Sequence, residues 1–285
     1  FTTRADSMDN AMSWSRPDFV LFNGTNVFPY AEGRPFEFAA RVVVQTEADW
    51  SVATGMTPAG APREYTAGNF HDLVDMPFFV GRLDVDSAQI EGKWHRLATY
   101  PRGLFEGAAR RGFWDQLRAM MPPMSRVFGE TPWDTYNTMI IFEASFPGAS
   151  ALEHQNSHVG IYTPAIIGSP FLPSITAHEI FHAWNVKRLR PAELWPYDYD
   201  EPQPTTLLWV SEGITDYYAD LALVRSEIVT PDDFYSLSQD KITTVAESPP
   251  VALEDASLST WIDPIDGSRY VYYPKGSLAG LLLDI

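Results

Sequence analysis

No cysteine occurs among the 285 residues of this chain. Disulfides, thiolate metal sites and cysteine nucleophiles are therefore excluded, while periplasmic, secreted and cytoplasmic settings all stay compatible with the sequence. No apolar run approaches the roughly 18 residues that a membrane-spanning helix needs. The chain starts at Phe1 without a basic-then-apolar leader, so the expectation is that any signal peptide was removed or never included. Basic residues are scarce: 20 Lys and Arg stand against 37 Asp and Glu, for a formal charge of -17. A surface of that sign repels a phosphate backbone, which argues against nucleic acid as a partner. A cationic substrate end, such as the α-ammonium of a peptide, is weakly favoured. A Ser/His/Asp hydrolase finds no support either, because no Gly-x-Ser-x-Gly elbow is present. No feature specifies an oligomeric state.

What the chain does have is a globular composition, with 45% hydrophobic and 14% aromatic residues. That is enough apolar material for a substantial core, and the length suits one large domain or two ordinary ones. Residues 1–80 read as β-rich. Phe36 to Val44 begins in alternation and ends in a β-branched run, as a half-buried strand does. Asn23-Gly24-Thr25 fits a glycosylation acceptor but is read as a turn. A boundary is expected near Pro77, after which the pattern becomes mixed. His95–Tyr100 and Tyr136–Phe142 read as strands, and Ala151–Tyr162 as a partner strand. Leu104 to Met121 carries apolar residues at helical spacing until Pro122-Pro123 interrupts it. Helices are expected over Thr176–Val186, over Ser211 to Val224, and from Leu278 onward.

The chemistry concentrates in His178-Glu179-Ile180-Phe181-His182, an H-E-x-x-H motif. Positions i and i+4 share one helical face, so both imidazoles can address one zinc ion, and Glu179 can reach a water at that ion as general base. A catalytic zinc needs a third protein ligand. Among the 6 histidines none lies shortly downstream, which points to a carboxylate. Glu212, at the start of the second amphipathic segment, is the best candidate, although an acidic residue in a first turn also complements the helix dipole. Asp216 lies one turn on, where it can accept the free ring N–H of His178 or His182 or simply be solvated. His154 and His158 repeat the i, i+4 spacing without an intervening Glu. On a strand that spacing is too wide for one metal, so the pair reads as a decoy. Lys187-Arg188-Leu189-Arg190 reads as a solvated face or as partners for buried carboxylates, and Trp184, Trp195 and Trp209 as packing residues.

The run His178 to Pro191 resembles the signature of the glycyl aminopeptidase family of zinc metallopeptidases, gluzincins whose third ligand is a glutamate. Trp209 to Tyr218 is similar to the family's second block, which implies that Glu212 is that ligand, 30 positions after His182. Ala151 to Ser157 resembles the family's Gly-Leu-Glu-His block and implies that Glu153 anchors the substrate's free amino terminus. Ala151 replaces the usual glycine there. Tyr272 to Gly276 resembles the Tyr-x-Lys-Gly segment and implies that Tyr273 stabilises the transition state. The resemblance implies an α+β architecture: an N-terminal β-rich, sandwich-like domain over 1–80, then a thermolysin-like zincin catalytic domain over 81–285. It further implies continuation beyond Ile285 into a helical region, often with a PDZ module, so that this catalytic domain is incomplete. The implied activity is removal of small N-terminal residues, glycine or alanine, from peptides with a free amino terminus. Two competitors stand beside it: a zinc endopeptidase in which Glu153 is structural, and a binding module that keeps the fold without turnover. Glu179 argues against the module, since a structural zinc site needs no base.

Overall fold

Strand-forming alternation dominates the first part of the chain, and the computed structural model describes residues 2–11, 13–259, 268 and 270–285. Internal contacts divide the chain into two units, residues 1–114 with 131–172 and residues 115–130 with 173–285.

The first unit opens with β1 (Trp14–Arg16), β2 (Phe19–Asn23), β3 (Ala40–Val43), β4 (Ser51–Thr54), β5 (Thr57–Pro58) and β6 (Glu64–Ala67). A short helix α1 (Phe70–Val74) and β7 (Pro77–Gly81) follow. Strands β1, β2, β7 and β4 form an antiparallel sheet in that order, and β3, β6 and β5 form a smaller one. The expected strand from Phe36 shortens to Ala40–Val43. Phe36 instead stacks on Phe70 at 5.1 Å and meets Tyr30 edge-on at 5.2 Å, so aromatic packing takes residues 36–39 off the ladder. Asn23 is buried and donates to the Asn10 carbonyl at 2.7 Å, in keeping with a turn rather than a glycan acceptor.

A third, mixed sheet follows: β8 (Asp84–Ile90), β9 (Lys93–Tyr100), β10 (Thr135–Phe142), β11 (Ala149–His154) and β12 (Ser157–Tyr162), with helix α2 (Gly107–Phe128) between β9 and β10. The sheet order is β11-β12-β10-β9-β8, with β10 parallel to both neighbours and the outer pairs antiparallel. The stretch read as one strand over Ala151–Tyr162 is thus a hairpin turning at Gln155-Asn156, with Glu153 opposite His158. Phe19, Leu21 and Phe79 of the first sheet pack with Ala98, Met139, Ile141, Val159 and Ile161 of the mixed sheet in one buried cluster. The fold is therefore α+β, with a β-rich start followed by a mixed sheet and helices.

Helix α2 does not stop at the two prolines but runs through Pro122 and Pro123 to Phe128. Each proline deletes one i to i−4 hydrogen bond. The helix persists because tertiary burial outweighs that loss: Leu117, Met120, Met121 and Met124 are all 1% exposed.

The second unit is helical: α3 (Phe171–Phe181), α4 (Thr215–Arg225), α5 (Pro231–Glu247), α6 (Leu253–Leu258) and α7 (Tyr272–Leu283). A π-helical turn, Trp209–Ile214, leads directly into α4. Helix α7 begins at Tyr272, six residues ahead of the expected Leu278. Leu208, Ala256, Val271 and Tyr272 form a small core with Trp209, Val245 and Tyr273 packed against it. Trp184 stacks on Phe128 at 5.6 Å and donates to the Glu130 carbonyl, so it is a packing residue.

Candidate metal centre

The motif helix starts earlier and ends sooner than its periodicity suggests. Helix α3 is hydrogen-bonded only to Phe181, and His182 sits at its C-terminal edge with its N–H still donating to the His178 carbonyl at 3.3 Å. Beyond it the backbone turns sharply. Val186 adopts φ 100, a strained value for a β-branched residue, and its N–H donates to the Leu189 carbonyl at 2.6 Å. Arg188 reaches back to donate to the Ala183 carbonyl, satisfying an acceptor near the helix end, and Arg190 lies over Trp195 and Tyr197. The basic run thus serves the turn itself.

Glu212 comes from the π-helical turn. One extra residue in that turn changes which side chains face inward, and such bulges recur at functional sites. The result is convergence. The Nε2 atoms of His178 and His182 lie 3.0 Å apart, and Oε2 of Glu212 is 3.2 Å from each. Among the described residues, these three form the His/Asp/Glu group whose ligand atoms gather at one point.

Both imidazoles are oriented through their other nitrogen. His182 Nδ1 donates to the Asn185 carbonyl at 3.1 Å, and His178 Nδ1 faces Oδ1 of Asp216 at 3.5 Å, a long contact strengthened by charge. With both Nδ1 atoms acting as donors, neutral rings aim their Nε2 lone pairs at each other and at a carboxylate oxygen, a repulsive array that a proton or a metal cation between them relieves. A tetrahedral zinc with bonds of about 2.0–2.1 Å separates its ligand atoms by about 3.3 Å, close to the spacing here. Two imidazoles and one carboxylate are a zinc donor set, so the residues fit the ion.

The electrostatics run the same way. Burial alone would push His178 down, but Asp216, Glu212 and the Glu179 charge outweigh it and hold its pKa well above the ordinary histidine value. For Glu212 burial pushes upward, and His182 and His178 more than reverse it, holding the carboxyl well below the usual range. Asp216 is lowered against its own burial by His178 and Lys241. Glu179, Glu212 and Asp216 thus all bear on His178, an environment that favours a positive charge there.

Two supporting residues were not singled out from sequence. Asn185 Nδ2 donates to the carbonyls of Val210 at 2.9 Å and Ser211 at 3.2 Å and to Thr215 Oγ1 at 2.9 Å. It therefore ties the turn after the motif to the turn that carries Glu212. Lys241, on α5, bonds Asp216 and Asp220. Helix α5 did carry a legible signal, a capping box in which Thr230 and Asp233 satisfy each other's backbone N–H, with Pro231 at the first helical position between them.

Glu179 is buried, 5% exposed, one residue from the first ligand. The Tyr273 ring lies 5.9 Å from the His178 ring at 31°, on the first turn of α7. Glu153 lies on β11 of the first unit. His154 and His158 fall on different strands, β11 and β12, and are buried. His158 Nδ1 meets the Tyr136 hydroxyl at 3.1 Å, and burial with the nearby His154 pushes its pKa down to about 3. Neither belongs to the convergent group.

Residues 172–279 match the M61 glycyl aminopeptidase family, and residues 1–82 match the peptidase M61 N-terminal domain. Among solved structures, the chain is similar to an aminopeptidase N family protein from Idiomarina loihiensis, with a TM-score of 0.89 at 25% identity over 98% of this chain and 51% of that one. The chain thus spans about half the length of that relative. No curated protein matches.

Proposed function

Since the chain belongs to the M61 glycyl aminopeptidase family, we propose that it is a peptidase, and specifically a zinc-dependent aminopeptidase that removes glycine or alanine from peptide amino termini. The observation that most supports this is the convergence of His178, His182 and Glu212 beside the buried Glu179.

His178, His182 and Glu212 would hold the ion. Zinc, when bound, supplies Lewis acidity that lowers the pKa of water to about 7 and polarises a carbonyl. Glu179 takes the proton of the attacking water and returns it to the leaving amine, a role commonly worth roughly 10²–10⁴ in rate. The Tyr273 hydroxyl donates to the oxygen on which charge develops, a contribution of about 3 kcal/mol for a well-placed donor. Asp216 keeps His178 in the tautomer that presents Nε2, and the Asn185 carbonyl does the same for His182. Glu153 pairs with the substrate α-ammonium, which is mostly charged at neutral pH. That last role rests on the resemblance of its block alone, and it is what makes the enzyme an exopeptidase.

The test is hydrolysis of glycyl and alanyl anilides with a chelator, then with zinc restored, alongside Glu179→Gln. Chelation should abolish turnover and zinc should recover it. Glu179→Gln should lower kcat by roughly 10²–10⁴ while zinc stays bound. Wild-type turnover in Glu179→Gln would overturn the mechanism.

A further inference from the structure

We infer that Lys241 is a positioning residue for the zinc site, holding the Asp216 carboxylate so that its other oxygen stays on His178. This rests on the zinc-peptidase reading above.

The ammonium of Lys241 has three N–H donors, and three oxygens surround it: Oδ2 of Asp216 at 2.7 Å, Oδ2 of Asp220 at 2.6 Å and Oγ of Ser277 at 2.8 Å. Every proton has an acceptor, and the acceptors come from two helices, α4 and α7. The two oxygens of Asp216 are thereby divided, Oδ2 to Lys241 and Oδ1 to His178. A carboxylate free to rotate exchanges its oxygens; one pinned on Oδ2 cannot do so without breaking a charge-assisted bond. Asp220 and Ser277 fix the ammonium in turn, so that the chain of contacts runs from α7 and α4 through α5 to a motif histidine.

Burial separates this arrangement from an ordinary surface ion pair. The Lys241 side chain is 16% exposed, and Asp220 9%. Removing such charges from water is unfavourable unless each is paired and hydrogen-bonded. Burial works to lower the lysine pKa, yet Asp216 and Asp220 raise it overall, so the group is an ammonium at neutral pH. A link between helices needs only one carboxylate. Here the second contact falls on the residue that backs a zinc ligand.

Lys241→Met keeps the aliphatic stem and removes the charge. Zinc affinity, measured by competition with a chromophoric chelator, should fall roughly 10- to 100-fold, the range seen when groups orienting metal ligands are lost. At saturating zinc, kcat for a glycyl anilide should fall with KM unchanged, and Lys241→Arg should recover part of both losses. Should Lys241→Met fail to fold, Lys241→Met with Asp220→Asn removes equal and opposite charges and takes over the test. A folded variant with wild-type zinc affinity and kcat overturns the inference, as does a double variant that cannot fold, since the lysine is then purely structural. A wild-type chain that binds no zinc and hydrolyses nothing removes the preceding reading and this one together. Wild-type zinc binding beside an unaltered Lys241→Met defeats this inference alone.

Discussion

Gly213→Ala is expected to damage the proposed zinc site without touching any of the three candidate ligands. Gly213 lies in the π-helical turn immediately after Glu212, pressed against the start of α7. A Cβ there would lie 2.5 Å from Cα of Gly276, 2.7 Å from its carbonyl carbon and 2.8 Å from the Tyr272 carbonyl oxygen. Ordinary carbon contacts are about 3.5–4.0 Å, so the two segments must separate by about 1 Å. All three obstacles are backbone, so no rotamer change relieves them. Overpacking of this kind costs about 1–3 kcal/mol. The displacement falls on the residue beside Glu212 and on the turn that bears Tyr273, and a misplacement of about 1 Å at a reacting centre lowers rates on the order of 10²-fold. The matched control is Gly112→Ala in α2, where a Cβ meets nothing within 4 Å. That change should stabilise the chain by about 0.5–1 kcal/mol through helix propensity. Thermal unfolding of both variants, zinc titration and anilide hydrolysis read the result. A Gly213→Ala protein with wild-type melting temperature, zinc affinity and kcat would refute the packing argument.

Asn185→Asp replaces a donor facing the Val210 and Ser211 carbonyls with a repelling carboxylate, and zinc affinity should drop roughly 10- to 100-fold; a titration matching wild type counts against that clamp. Glu153→Gln should raise KM for free peptides and narrow the discrimination against N-acetylated ones; equal cleavage of acetylated and free peptides by the wild type would instead favour an endopeptidase. His95 is buried on β9 and its pKa is pushed down to about 4 by that burial. The unfolded chain binds this proton near 6.5, so the stabilisation is complete above about pH 6.5 and is lost as pH falls towards 4, by about 3 kcal/mol in all. His95→Phe should flatten the fall in melting temperature between pH 7 and pH 4.5, and an unchanged slope would exclude His95 as the source.

Much of the candidate site could be read locally because its residues are close in sequence. His178, Glu179 and His182 sit within one helical turn, where spacing alone dictates a shared face. Glu212 and Asp216 are likewise one turn apart, and His178 meets both. Lys241 was not legible, since a lone lysine on a 17-residue amphipathic helix looks like a solvated one until α4 and α7 pack over it. The prolines of α2 misled for a related reason. Local propensity predicts a stop, but burial of the methionine face outweighs two missing hydrogen bonds.

From the sequence alone come the H-E-x-x-H geometry, the need for an acidic third ligand, the exclusion of cysteine chemistry and the β-rich beginning, all consequences of residue type and short-range periodicity. Only the tertiary structure decided that the ligand helix stops at Phe181, that Glu212 rides on a π-turn held by Asn185, and that two glycines let that turn approach α7. These depend on segments distant in the chain meeting at contact distance, and such meetings are governed by burial and steric fit, which no local pattern of residues encodes.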